Sequence, residues 1–297
     1  MAHVHRVRAR LALPAQRRVR GLLDGEYASA LSGRGMELDD LREYVRGDDV
    51  ADVDWKASAR ARQLLVKRYV ALRQHTVLLI VDTGRQMAAH ATVDHTKREL
   101  AALAAGTLGW LAVRHGDRVG VLNGDAQRRH GLPPRQGEVH LERCLASAYD
   151  ATTVAAADSD LVGLLQHVAR TVRRRSIALI VCDVPPDDAR DDELAAILRR
   201  LVAQHEVMVV TVGDLDPATL PAGAGVLADV GGGALPSWAA TDPRLARELR
   251  ERDGQRLEAF SALVAAAGGV HQHVTDADSA PRELLRMIER HRHARRR

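Results

Sequence analysis

An unbroken apolar run from Val77 to Val81 ends abruptly in Asp82-Thr83-Gly84. Such a run is typical of a β-strand that is buried on both faces, as in a parallel sheet covered by helices. Apolar residues then recur at helical spacing from Asp94 to His115, and Gly116 ends the pattern. The succession of strand, polar loop and helix predicts an open α/β sheet, in which ligands bind at the carboxyl ends of the strands.

The same construction recurs where the run Ile177 to Val181 leads into Cys182-Asp183. If the two strands are neighbours, Asp82 and Asp183 face one crevice, and Ser159 is a third candidate oxygen donor. We predict one α/β domain with an open, mostly parallel six-stranded sheet in the order 3-2-1-4-5-6, flanked by helices and preceded by an N-terminal extension. A small hairpin excursion is expected at about residues 213–240.

This layout resembles the von Willebrand factor A domain and its metal-ion-dependent adhesion site, where an Asp-x-Ser-x-Ser loop, a Thr and a second Asp hold one Mg²⁺. The resemblance implies that Asp82, Ser159 and Asp183 are metal ligands. Gly84 and Gln86 stand at the two serine positions, so two hydroxyl ligands are missing. We expect a degenerate site with no certain cofactor and weak Mg²⁺ binding at most. The loop residues predicted to contact a partner are Asp82, Arg85 and Gln86.

Charge and composition narrow the classes of function. The net charge of +4 lies in the tails, because residues 1–20 and 286–297 carry +6 and +5, which leaves −7 on the rest. This distribution argues against a broad nucleic-acid-binding face. No apolar run approaches the roughly 20 residues of a membrane helix, and the N-terminus does not resemble a signal peptide. We therefore expect a cytoplasmic protein in which Cys144 and Cys182 are reduced, buried thiols.

The most unusual segment runs from Gly33 to Arg60 and mixes acids, bases and two aromatic residues. Apolar residues from Leu38 to Val45 have the spacing of a short amphipathic helix. The aspartates that follow do not have the spacing of an EF-hand loop, and we expect them to pair with nearby basic side chains. Trp55 is expected to anchor the segment to the sheet domain, with a partner interface as the alternative.

This segment reads Gly-x-Glu-x-x-x-Leu-Arg-Glu-Tyr-x-x-Gly-Asp-Asp-Val-x-x-x-Asp-Trp-Lys-Ala-x-Ala-Arg and resembles the DUF58 family, which joins it to a von Willebrand factor A-like domain. The similarity continues through Gly116-Asp117-Arg118-Val119-Gly120. It implies an extension at residues 1–70 and a von Willebrand factor A-like domain at residues 71–297. The motif residues are Glu37, Arg42, Tyr44, Gly47, Asp48, Asp49, Asp54, Trp55 and Arg60.

The resemblance implies a non-enzymatic protein-interaction module. Family members are often encoded with MoxR-type AAA+ ATPases, so the expected partners are such an ATPase and an unknown client protein that is matured or remodelled. Two alternatives stay open: a metal-dependent hydrolase that uses Asp82 and Asp183, and a structural adaptor that works without an ATPase. An aspartic protease is disfavoured because the Asp-Thr-Gly triplet occurs once and a long helix follows it. His271 and His273, which alternate in a predicted strand, are expected to face solvent.

Overall fold

The computed structural model describes residues 2–12, 21–23, 25, 27, 37–45, 53–70, 74–186, 190–216, 219, 227–235 and 242–295. The strands are β1 (Glu37–Glu43), β2 (Leu65–Val70), β3 (Thr76–Asp82), β4 (Arg118–Gly124), β5 (Arg129–Arg135), β6 (Ile177–Cys182), β7 (Glu206–Val212), β8 (Leu227–Ala228), β9 (Ala234–Leu235) and β10 (Val270–Val274). The α-helices are α1 (Ala2–Ala12), α2 (Trp55–Ala61), α3 (Lys97–Arg114), α4 (Glu138–Ala151), α5 (Leu161–Thr171), α6 (Asp191–Gln204), α7 (Pro243–Ala266) and α8 (Ala280–Arg295). A short 3₁₀ helix spans Arg85–Ala88.

The central sheet has six strands in the order β10-β7-β6-β3-β4-β5. Strand β5 is antiparallel to β4, and the other neighbouring pairs are parallel. Counted along the chain within this sheet, the strands have the predicted order 3-2-1-4-5-6, so the predicted fold is confirmed. Strands β3 and β6 are neighbours, with Val81 opposite Val181, which brings their carboxyl ends together.

Alternate residues of β3 pack into two separate cores, which explains why its apolar run is continuous. Leu79 and Val81 lie in the core that includes residues of α1, α3, α4 and α8. Leu78 and Ile80 lie in the core that includes residues of α5, α6 and α7. Cys144 and Cys182 are free and buried, as predicted.

Helix α1 belongs to the first of these cores. Val4, Val7 and Leu11 recur at helical spacing and are buried there. Val7 packs closely on α3, because a Cβ atom on Gly106 would lie 2.7 Å from its Cγ2. Farther along, the hydroxyl of Tyr27 donates a hydrogen bond of 2.7 Å to Asp117. Helix α1 thus packs on α3 and α4, two helices that cover the sheet, whereas the division into an extension and a domain stays a prediction.

The predicted helix at residues 38–45 is wrong, because residues 37–43 form β1, which pairs with β2 in a two-stranded antiparallel sheet. The pairing register shifts between Leu38 and Asp40. An irregularity of this kind breaks the alternation by which a strand is recognised in a sequence, and leaves a spacing that resembles a helix. The partner strand lies more than twenty residues away along the chain, so local periodicity carries no sign of it.

Helix α2 packs on β2, but its tryptophan is largely exposed. The carboxylate of Asp54 caps α2 by accepting hydrogen bonds from the N–H groups of Lys56 and Ala57. The hydroxyl of Ser58 accepts a hydrogen bond of 2.8 Å from the N–H of Leu65. Trp55 is 62% exposed, so the expectation that it anchors the segment to the sheet domain is wrong. A short cap residue and a buried hydroxyl hold α2 in place instead.

Candidate functional site

Asp82 lies at the carboxyl end of β3 and is 2% exposed. Its Oδ1 accepts a hydrogen bond of 2.9 Å from the N–H of Gly84. Burial raises the pKa of this carboxyl to about 6, and the charges of Asp183 and Asp125 act in the same direction. The N–H of Gly84 and the hydroxyl of Ser159 oppose that rise. Asp82 therefore keeps its proton to a higher pH than an ordinary aspartate, and a nearby positive charge would favour its ionised form.

The loop after β3 is in direct contact with the loop before α5. A Cβ atom on Gly84 would overlap the Oγ, N and Cα atoms of Ser159. The two loops are also hydrogen-bonded: the N–H of Arg85 donates to the carbonyl of Ala157, and the N–H of Ser159 donates to Gln86 Oε1, both at 2.9 Å. The Ser159 hydroxyl thus occupies the volume that a serine side chain at position 84 would need.

Two of the residues predicted to contact a partner are already engaged by this second loop. Arg85 Nε lies 3.0 Å from Asp158 Oδ1, and Gln86 Nε2 donates a hydrogen bond of 3.1 Å to the same oxygen. Both side chains remain partly exposed. They hold the two loops together, and their contact with a partner stays a prediction.

Asp183 directly follows β6 and lies beside a buried ammonium group. Its Oδ2 is 2.7 Å from Lys97 Nζ, and its Oδ1 accepts a hydrogen bond of 2.7 Å from the N–H of Val184. Lys97 also forms an ion pair with Asp214, which follows β7. Burial alone would lower the pKa of Lys97, but the two carboxylates outweigh it and the pKa is raised. The ammonium is therefore charged at neutral pH.

Asp160 is bound by two arginines. Its carboxylate accepts a hydrogen bond from the N–H of Gly163 and so caps α5. Arg129 and Arg190 each lie 2.9 Å from one of its oxygens. A cavity of about 280 Å³ lies between Asp82, Asp160 and Asp183. Its polar lining includes Asp82, Gln86, Ser159, Asp160, Asp183 and Arg190.

The donor set around this cavity does not fit Mg²⁺, which requires about six oxygen ligands. Both oxygens of Asp183 already have partners, an N–H group and an ammonium. Ser159 Oγ is buried and makes no hydrogen bond of normal geometry within the described part of the chain, so it is available as a ligand, but it supplies a single oxygen. No group of three or more His, Cys, Asp or Glu residues among those described is arranged to hold a metal. The structure brings Asp82, Ser159 and Asp183 to one cavity, and metal binding by them stays untested.

His271 and His273 of β10 were expected to face solvent, but they do not. His271 is 8% exposed, and its Nε2 lies 2.8 Å from Thr211 Oγ1. His273 Nδ1 lies 2.9 Å from the same hydroxyl. Burial lowers the pKa of both rings, to about 4 for His271. The expectation was wrong because β10 pairs with β7 and presents both rings to the Thr211 side chain of that strand.

The motif residues lie in the β1–α2–β2 unit, formed by residues 37–45 and 53–70. Glu37 and Arg42 are in β1, and the N–H of Tyr44 donates to the carbonyl of Leu64. Asp54 caps α2, while Trp55 and Arg60 are exposed. Gly47, Asp48 and Asp49 lie outside the described residues. None of the motif residues that the structure describes lines the 280 Å³ cavity.

Sequence reasoning does not identify Lys97 or Asp214, although each leaves a signal. A lysine at the first position of a helix opposes the helix dipole and needs another partner. Asp214 follows an apolar strand at a short distance, as Asp82 and Asp183 do. Aspartates thus lie at or just after the carboxyl ends of β3, β6 and β7, which are successive neighbours in the sheet.

Comparison with known proteins gives both a family and structural similarities. Residues 40–252 match the family DUF58, described as a protein of unknown function. The uncharacterized protein Rv1480 of Mycobacterium tuberculosis H37Rv is 32% identical over 241 residues, which cover 79% of this chain and 73% of that protein. An aerotolerance-related membrane protein from Bacteroides fragilis NCTC 9343 has a TM-score of 0.46 at 14% identity, over 73% of this chain and 99% of that one. A von Willebrand factor type A structure from Catenulispora acidiphila has a TM-score of 0.41 at 12% identity, over 75% and 44% of the two chains.

These similarities correct the predicted location. The expectation of a cytoplasmic protein rested on the lack of an apolar run of membrane-spanning length, and it is wrong because the similar structures include that of a membrane protein. Among the helices that the structure describes, none combines the length and the apolar character needed to cross a membrane.

Proposed function

This chain belongs to the DUF58 family, and we propose that it is a protein-interaction module whose partner binds the crevice around Asp82. One observation carries the proposal. Asp82 faces the 280 Å³ cavity and has no cationic partner in the part of the chain that the structure describes, whereas Asp160 and Asp183 are each held by basic side chains. The cavity therefore offers a carboxylate for a positive charge that comes from another molecule.

The expected contact is a charge-assisted hydrogen bond from a lysine or arginine of the partner to Asp82. Because burial raises the pKa of Asp82 to about 6, part of the unbound protein carries a proton there just below neutral pH. Binding of a cation favours the ionised form, so binding should release this proton and strengthen as the pH rises through 6. Arg85 and Gln86, which tie the neighbouring loop in place, are proposed to complete the contact surface.

The proposed partner is a MoxR-type AAA+ ATPase, and the two proteins would act together on an unknown client protein. The experiment mixes this protein with the MoxR-type ATPase of the same genome, with nucleotide present, and measures association by light scattering or calorimetry. Asp82→Ala should weaken association by about tenfold or more, since a hydrogen bond to a charged group contributes about 1.5–3 kcal/mol. Arg85→Ala and Gln86→Ala should weaken it less.

The matched control is Asp94→Ala, which removes an exposed aspartate that does not line the cavity and should leave association unchanged. Equal affinity for the wild type and Asp82→Ala would move the interface away from the cavity, and the β1–α2–β2 unit with its exposed Trp55 is then the next surface to test. Failure of the wild type to associate would favour a structural adaptor without an ATPase. A metal-dependent hydrolase gains no support from the donor set, because Lys97 already binds Asp183.

A further inference from the structure

We propose that Lys97 is the resident cation of this sheet end, and that removal of its ammonium leaves a site for a divalent cation between Asp183 and Asp214. The ammonium would then supply the positive charge between the carboxylates, a role that a bound metal ion has in an adhesion site of the von Willebrand factor A type. This inference does not depend on the partner protein, because it concerns the ions that this chain alone can bind.

The first support is the burial and pairing of the ammonium. The Lys97 side chain is 2% exposed, which is rare for lysine unless the charge is paired. Lys97 Nζ lies 2.7 Å from Asp183 Oδ2 and also contacts Asp214 Oδ1. Two carboxylates therefore share one positive charge at the carboxyl ends of neighbouring strands, β6 and β7.

The second support is that the helix itself gives no reason for a lysine here. Lys97 is the first residue of α3, where the helix dipole disfavours a positive charge. The turn is already closed without its side chain, because Thr96 and Glu99 form a capping box and the N–H of Lys97 donates to the carbonyl of Ala89. The position of the ammonium is thus explained by Asp183 and Asp214 alone.

The remaining question is which ion could replace the ammonium. Without it, two carboxylates of like charge would stand close together, with the His273 ring near enough to feel the charges of Lys97 and Asp214. Carboxylate oxygens favour hard divalent cations such as Mg²⁺ and Mn²⁺. Asp214 is 56% exposed at its side chain, so an ion could enter and keep several of its waters. With two protein ligands, binding in the millimolar range is expected.

The test measures thermal unfolding of the chelator-treated full chain with increasing Mn²⁺, against NaCl of equal ionic strength. The melting temperature of the wild type should not respond specifically to Mn²⁺. Lys97→Ala should melt at least several degrees lower, and Mn²⁺ should restore part of that loss in a saturable way that NaCl does not reproduce. Lys97→Ala/Asp183→Asn, which lacks one ligand, should show no such recovery. Lys56→Ala, which removes an exposed lysine, is the control for loss of a positive charge.

Any of three results would overturn the proposal. The melting temperature of the wild type could rise saturably with Mn²⁺, Lys97→Ala could melt at the wild-type temperature, or Lys97→Ala could fold but show no change in melting temperature with Mn²⁺. If Lys97→Ala is insoluble, it is refolded from denaturant with Mn²⁺ or with matched NaCl. Recovery of folded protein with Mn²⁺ alone supports the proposal, and equal failure in both buffers contradicts it. None of these measurements includes a partner, so their failure is distinct from failure of the proposed function.

Discussion

Gly84 and Ser159 are in such close contact that position 84 has no room for a side chain. The adhesion-site pattern has a serine at the position of Gly84. Here the loop before α5 fills the space that this serine side chain would occupy. A hydroxyl cannot be restored at position 84 without moving that loop. The glycine therefore matters for packing, whatever the cavity binds.

Gly84→Ala should destabilise the protein, because the new methyl group would overlap the backbone of Ser159 and force the two loops apart. We expect a loss of about 1–3 kcal/mol in the free energy of unfolding, measured with urea. Gly254→Ala is the matched control: Gly254 lies within α7 and has nothing near its missing Cβ. That change should stabilise the protein by up to about 1 kcal/mol through helix propensity. Equal effects of the two substitutions would contradict the close packing described for Gly84.

Asp82→Asn should stabilise the protein at neutral pH. In the folded protein Asp82 has a pKa of about 6, whereas an unfolded chain ionises near about 3.9. Between these values the folded state binds more protons, so the free energy of unfolding of the wild type falls as the pH rises from about 4 to 6. Asparagine cannot ionise and avoids this loss.

The advantage of Asp82→Asn should be near zero at pH 4 and reach at most about 3 kcal/mol above pH 6. Denaturant unfolding of both proteins at a series of pH values measures it. A variant that is less stable than the wild type at pH 7 would show that the ionised carboxylate is needed for the fold. The gain is expected to come with weaker partner binding, as is common for residues kept for function.

Leu11→Ala should lower the free energy of unfolding by about 2–5 kcal/mol, because this side chain of α1 is fully buried in the core that also contains Leu79 and Val81. Leu22→Ala is the control, since Leu22 is 47% exposed and its loss should change stability by no more than about 0.5 kcal/mol. For the same reason, residues 71–297 expressed alone should fold poorly or aggregate. A truncated chain that is soluble, monomeric and as thermostable as the full protein would contradict this role of α1.

Trp55→Ala should hardly change stability, within about 0.5 kcal/mol, because most of the Trp55 side chain is exposed. Val53→Ala should cost more, since Val53 is buried and bridges to Val66 of β2. The effects of both substitutions on stability are measured from the melting temperature of the full chain. A large loss of stability in Trp55→Ala would indicate that Trp55 does anchor the β1–α2–β2 unit to the rest of the protein.

Elements whose signals are local could be predicted from the sequence. Strands β3 and β6 coincide with the two predicted apolar runs, and helix α3 lies within the predicted helical pattern from Asp94 to His115, because apolar periodicity and turn residues mark these elements in the sequence. The two apolar runs that each end in an aspartate predicted that Asp82 and Asp183 face one crevice, and both residues line the same cavity. The predicted strand order is the common order of doubly wound α/β sheets.

Features that depend on distant partners could not be predicted in this way. Strand β1 exists because β2 pairs with it, and its irregular register hides the alternation of a strand. The ion pair of Lys97 with Asp183 joins residues 86 positions apart, and no spacing rule connects a helix start with a strand end so far along the chain. Ser159 was identified as an oxygen donor, but its packing against Gly84 depends on how two loops meet.

Strand β5 closes one side of the sheet with the sequence Arg-His-Gly-Leu-Pro-Pro-Arg. Pro133 and Pro134 have no N–H group to donate, so an incoming strand could not form a continuous ladder of hydrogen bonds along this edge. Strand addition, the route by which many sheets recruit a peptide or aggregate with copies of themselves, is therefore blocked where β5 is otherwise exposed. Strand addition to this sheet would therefore have to use its other edge, β10, and a protein that approaches the β5 side must contact loops or helices instead.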